Sequence, residues 1–127
     1  MIVNIPISLG ELIDKISILL IKEKNISDEK KLSKIREELS LLKKTLNHII
    51  NDNNIKNYLN KLVEINTKLW KIEDNIRDCE RNKKFDKIFI DLARSVYVTN
   101  DKRSEIKNEI NKKFGSTIVE VKSYKKY

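Results

Sequence analysis

The chain predicts an all-α fold, an antiparallel bundle of long helices with short extended segments at both ends. Three observations carry that prediction. Glycine and proline are scarce, 2 and 1 of 127 residues, whereas the corners of a β-sandwich or barrel consume them at every turn. Apolar residues make up 39% and charged residues 36%, the balance of amphipathic helices with a lean core and a heavily solvated surface. Apolar positions also recur at steps of three and four along most of the sequence. The expected organisation is a single helical domain over 1–127: an extended lead-in at 1–8, a bundle at 9–115 and a C-terminal arm at 116–127.

Residues 2–7 read Ile-Val-Asn-Ile-Pro-Ile, an extended segment that Pro6 confines to an edge or an unpaired lead-in. Ser8 and Glu11 then form a capping box, with Ile7 and Leu12 as a hydrophobic staple, so helix 1 starts at Leu9. Gly10 lies in its first turn, where a glycine costs less than in mid-helix. Leu12, Ile13, Ile16, Leu19 and Leu20 make its stripe, and Ile18 and Ile21 widen it enough to face more than one neighbour. Helix 1 should end near Asn25.

Ser27 is the expected cap of helix 2, with Asp28 and Glu29 favouring its dipole. Leu32, Ile35, Leu39, Leu42, Leu46 and Ile49 give a heptad seam, which the polar run 51–54 ends. In helix 3, Ile55, Leu62, Leu69 and Ile76 alternate with Tyr58, Ile65, Ile72 and Cys79, a seam that predicts a helix roughly 40 Å long. A four-residue turn between two such helices predicts a long helix 2–helix 3 hairpin. Helix 4 begins near Phe85 and presents Phe85, Ile88, Phe89, Leu92, Val96, Ile106 and Ile110. The β-branched stretch 96–99 before Asn100 predicts a kink, or a break recapped by Asn100. Gly115 closes the helix, and the alternation in 116–122 predicts a short strand or arm, able to pair with 2–7.

The net charge is +8, which invites a nucleic-acid partner. Two facts argue against specific binding. Lysine outnumbers arginine 22 to 5, the reverse of what bidentate phosphate recognition favours. The charge is also spread along the chain, and 22 Lys, 20 Ile and 14 Asn together mark an A/T-rich codon bias. The start, Met-Ile-Val-Asn, is no signal peptide, and Ile18–Ile21 is far short of the ~20 apolar residues of a membrane span. A soluble cytoplasmic protein without membrane partners is expected, a location that fits the lone cysteine.

Arg103 is the most informative single residue, because continuing the seam from Phe89 by sevens reads Phe89, Val96, Arg103, Ile110. An arginine in an apolar seam must meet a carboxylate or an anion. The first reading is an internal ion pair with Asp14, Glu73 or Asp74. The second is an anion pocket on the face Asn100, Arg103, Lys107 and Asn111, walled by Trp70 or Tyr124, for a phosphate, carboxylate or nucleotide-sugar. No catalytic set, metal site or cofactor is expected. The only histidine, His48, lies off the helix 2 seam, Cys79 reads as a buried thiol, and the two glycines are far apart, so no Gly-rich phosphate loop exists.

The opening Ile5-Pro6-Ile7-Ser8-Leu9-Gly10-Glu11-Leu12-Ile13-Asp14-Lys15-Ile16-Ser17-Ile18-Leu19 resembles the start of a small uncharacterised helical family of bacteria and phages. Phe85-Asp86, Leu92-Ala93, Tyr97, Asn100-Asp101, Arg103, Ile106-Lys107 and Ile110-Asn111 continue the resemblance, as do Gly115-Ser116, Glu120, Lys122, Ser123-Tyr124 and Tyr127. It implies a compact domain with a role for these polar residues. Leu12-Ile13-Asp14-Lys15-Ile16 with Leu19-Leu20 is also similar to the first helix of all-helical chorismate mutases, which hold a dicarboxylate with arginines. Lysines, Lys15 and Lys22, stand at those positions here. The leading functional expectation is a non-enzymatic interaction module, a homodimer through the helix 2–helix 3 seam. A small anionic ligand on the Asn100/Arg103/Lys107 face is the alternative.

Overall fold

In the computed structural model, which describes all residues from Met1 to Tyr127, four helices account for the regular structure and no strand forms. Ser8 caps α1 (Leu9–Asn25), its Oγ accepting the Glu11 N–H at 3.1 Å. Only this half of the capping box is made, because the Glu11 carboxylate reaches across to Lys107 instead, at 2.7 Å. Asp28, rather than Ser27, caps α2 (Glu29–Ile49), accepting the Lys31 N–H at 3.0 Å. A carboxylate there meets the helix dipole with a full charge. After a short turn comes α3 (Asn54–Arg81). Then α4 (Lys87–Lys113) starts two residues beyond the expected point, with Asp86 as its cap.

The wide apolar face of α1 decides the packing. Ile13 and Ile16 are fully buried, and α1 lies against α2, α3 and α4 alike. The expected zipping of α2 onto α3 does not occur. These helices are neighbours in sequence, yet they make no close backbone approach, and neither do α2 and α4. The seams are real but point at α1: Leu32, Ile35, Leu39 and Leu46 from α2, and Ile55, Leu62 and Ile65 from α3, are buried. All but Leu32 join α1 and Ile110 in one core. Two heptad seams meet a third helix because α1 offers apolar surface on more than one side.

Three other expectations are corrected. The helix runs unbroken through Asn100, whose side chain accepts from Arg103 rather than capping a new segment. Residues 2–7 and 116–122 do not pair as strands. The C-terminal arm instead folds back along α4, with the Tyr127 hydroxyl donating to Asp101 at 2.7 Å and its ring edge-on to Tyr97 at 5.2 Å. Cys79 is half-buried rather than sealed in a core. In fact nothing between residues 67 and 98 is buried, and Phe85, Ile88 and Ile90 are exposed. No helix is long and apolar enough to cross a membrane.

Two glycines act where a side chain would fail. Gly115 takes φ +66°, and the Ser116 N–H reaches back to the Asn111 carbonyl at 2.8 Å, the long bond of a Schellman closure. Gly10 allows contact between α1 and α4. A Cβ there would stand 2.5 Å from the Lys107 carbonyl oxygen and 2.9 Å from Asn111 Oδ1. This opposes two effects in Gly10→Ala: a gain in helix propensity of about 1 kcal/mol, and a backbone overlap whose relief costs about 1–3 kcal/mol. Because the overlapped neighbour, the Lys107 carbonyl, is main chain and cannot swing aside, the overlap should win. Urea unfolding of Gly10→Ala is expected to show lower stability than wild type, whereas an isolated helix would show the opposite.

Candidate functional site

The most concentrated polar structure in the molecule is centred on Asp14. Its position in the middle of α1 places a carboxylate among apolar neighbours, and its relative exposure is 0%. Such a group must be matched on all sides. Arg103 of α4 does most of this. Its Nε donates to Asp14 Oδ1 at 3.0 Å and its Nη2 to Oδ2 in a fork-to-fork pair. Asn66 of α3 donates from Nδ2 to the same Oδ1 at 2.8 Å. That Nδ2 also reaches Ser17 Oγ at 2.8 Å, while the Ser17 hydroxyl donates to the Asp14 main-chain carbonyl at 2.6 Å. Three helices are therefore fastened at one carboxylate.

A second layer surrounds Lys107, one turn further along α4. Its ammonium lies 2.7 Å from Glu11, 2.8 Å from Glu120 and 3.9 Å from Asp14. Glu120 in turn meets Lys122 at 2.7 Å. This ties the C-terminal arm to α1 through α4. Beyond it, Asn111 is buried and accepts the Gly10 N–H at 2.7 Å, while its Nδ2 has no partner in the protein.

The electrostatics follow from these contacts. The hydrogen bond to Asp14 outweighs desolvation and holds the Arg103 guanidinium above its ordinary value. Burial pulls the Lys107 ammonium down, but its bonds to Glu11 and Glu120 more than compensate, so it too ends above its ordinary value. Lys107 and then Lys122 push the Glu120 carboxyl down to about 2 from 4.5.

The residues expected on one helical face are thus separated by the fold into different tasks. Arg103 forms the internal pair with Asp14, the partner named first among the three carboxylates. Lys107 and Asn111 bind side chain and backbone of the α1 N-terminus and, for Lys107, the arm. Both cations spend their charge on the protein's own carboxylates. Trp70 lies apart from Lys107 and Asn111, lining a cleft between α1, α3 and α4 that Asn100 and Arg103 also reach. Tyr124 is exposed on the other side of Asn100, with Lys122 over its ring at 5.7 Å. Asn66 was not singled out by the sequence, and Ser17 and Glu120 entered only through the family resemblance, with no partner named for them. Asn66 carried one usable signal: it directly follows the seam residue Ile65, so an amide stands at the edge of an otherwise apolar face.

The chain belongs to a family of unknown function, DUF6165, whose model matches residues 2–127. No curated protein and no solved structure matches it.

Two outcomes test the network. Replacing Asp14 by alanine strands the Arg103 guanidinium and the Asn66 amide, and should cost about 3–5 kcal/mol. Urea unfolding monitored by circular dichroism reads that loss, and an Arg103→Lys variant, which keeps the charge but cannot reproduce the fork, should show a smaller loss. The second concerns pH. A carboxyl depressed in the folded state stabilises above its unfolded value, and that stabilisation disappears as pH falls through the folded value. The arm's attachment through Glu120 should therefore be complete above pH 4.5 and fade towards about 2. Amide exchange of residues 117–127 should rise over this window, and Glu120→Gln should show the faster exchange already at neutral pH.

Proposed function

We propose that this protein is a non-catalytic interaction module that pairs with a second copy of itself through the free end of the α3–α4 pair. The observation that carries this reading is surface area. The chain exposes 9500 Å² for 15.0 kDa, whereas a compact monomer of that mass exposes roughly 7,000 Å². The extended termini contribute to the surplus, and so does the part of α3 and α4 between residues 67 and 98, which contains no buried residue.

One stripe there has the pattern of an interface. Ile88, Phe89 and Leu92 share one face of α4, and Phe85 stands just ahead of its Asp86 cap. Phe85 and Ile88 are 51% and 66% exposed, and Phe85 stands edge-on to Phe89 with ring centroids 5.2 Å apart. Aromatic residues of this kind anchor interfaces. Charge favours a like partner at this end. Residues 73–94 carry six acidic and six basic side chains and are neutral, although the chain as a whole is +8. Two copies can approach by this end without the repulsion that the rest of the surface imposes. The helix 2–helix 3 seam, by contrast, is occupied by α1, so the pairing surface moves to the uncovered end.

A standard interface needs about 800 Å² from each partner, well within the surplus. Light scattering on the wild type at high micromolar concentration should give twice the 15.0 kDa chain mass. Ile88→Asp should give the single-chain mass with unchanged helical content. A wild type that stays monomeric overturns the proposal, as does an Ile88→Asp variant that still dimerises.

A further inference from the structure

The cleft between α1, α3 and α4, about 700 Å³ in volume, shares Glu73, Asp74 and Arg77 with the end assigned to self-association but is not lined by its apolar stripe, Phe85, Ile88, Phe89 and Leu92. Its floor is made by the outer side of the Asp14 network. Asn66 and Arg103 both bond to Asp14 Oδ1, at 2.8 and 3.0 Å, so the amide and the guanidinium lie side by side. The carboxylate also settles which way the amide points. Nδ2 must face Asp14, because a carboxylate only accepts, and Oδ1 is left facing away. Asn66 is 6% exposed, its Oδ1 accepts no hydrogen bond from the protein, and this oxygen is not sealed off from the cleft that Asn66 lines. Beside it, Arg103 has committed Nε and Nη2 to Asp14, and its Nη1 makes only a long contact, 3.4 Å, to Asn100 Oδ1. The floor thus presents one acceptor and one weakly occupied donor, on two side chains that are both anchored to the buried Asp14 carboxylate.

The walls are apolar: Ile18 and Ile21 on one side, Leu69 and Trp70 on another, Val96 on the third. At the mouth stand Glu73, Asp74 and Arg77, none of which forms an ion pair within 4 Å in the structure. The Arg103 charge is cancelled by Asp14, so the cleft carries a net charge of about −1 in a chain of +8. A phosphate or carboxylate group is therefore disfavoured here.

We propose that this cleft binds an uncharged nitrogen heterocycle of nucleobase type, as the free base or nucleoside rather than the nucleotide. A flat ring would stack on the Trp70 indole against the aliphatic walls, and such stacking is sequence-tolerant and strong. Its edge, with a donor beside an acceptor, matches Asn66 Oδ1 and Arg103 Nη1. A sugar attached to the ring would meet Glu73 and Asp74, which accept from hydroxyls but repel a phosphate. Two paired groups on the floor also give selectivity, since a ring lacking either one leaves a buried polar atom unmatched.

Trp70 is the chain's only tryptophan, so its fluorescence reports on the cleft directly. Free bases and nucleosides of all common types are titrated into the wild type, with the matching 5′-monophosphates and inorganic phosphate in parallel, and isothermal calorimetry provides a second readout. Saturable quenching by at least one base or nucleoside is expected, about tenfold or more weaker for its monophosphate. Val96→Trp, which fills the cleft, should abolish calorimetric binding while leaving the unfolding midpoint near wild type. Trp70→Leu should weaken it about tenfold, the scale of one lost stacking contact. The proposal is overturned if no base or nucleoside binds at millimolar concentration to the folded protein, if a monophosphate binds as tightly as its nucleoside, or if Val96→Trp binds like wild type. Light scattering on the same samples reads self-association separately, so either result stands without the other.

Discussion

A carboxylate buried at the centre of a helix is the constraint on which the rest of this structure depends. Asp14 has no exposure, and an unmatched charge in that place would cost more than most single contacts return. The match is made by an arginine from α4 and an amide from α3, which meet at the same carboxylate oxygen, Oδ1. Apolar burial alone would let α1 slide or rotate among its neighbours with modest loss. The directional bonds to Asp14 remove that freedom. Gly10 belongs to the same design, since the approach of α1 to α4 that places Arg103 at Asp14 also brings the first turn of α1 against the Lys107 carbonyl.

The same network organises the surroundings. On one side it continues through Lys107 to Glu11 and Glu120, turning three carboxylates and two cations into a clasp for the arm. On the other it ends in the cleft, where the outward faces of Asn66 and Arg103 are left with capacity to spare. A polar cluster that was free to satisfy itself completely would leave no such edge. The remaining surface tells a complementary story: beyond α1 the α3–α4 pair has no third helix to cover it, so its apolar residues stay half-buried or exposed.

Much of the fold was legible in the residues themselves, wherever the controlling interactions are local. The Ser8 cap, the polar break at 51–54 and the Gly115 closure appear as expected, because each depends on bonds within a few residues. The seams in α2 and α3 were legible as apolar faces, but not the identity of the helix they face. A heptad repeat states that a helix must be covered; it does not state by what. The kink expected at 96–99 is absent because β-branched residues carry only a small helix penalty, which tertiary contacts override. The candidate site was half legible. Arg103 stood out as a charge in an apolar seam with Asp14 among its possible partners, whereas nothing local tied Asn66 to Asp14 or Glu120 to Lys107.

By itself the sequence determined four amphipathic helices, the start of α1 and the closure of α4, and the obligation of Arg103 to find a negative partner, since period, capping and the cost of burying charge act within one segment. Only the tertiary structure decided that α1 would stand between α2 and α3, that Lys107 would be consumed by Glu11 and Glu120, and that a cleft would open beside Trp70. Those outcomes depend on which surfaces compete for the same neighbour, and that competition is settled by geometry among residues as far apart as Gly10 and Asn111.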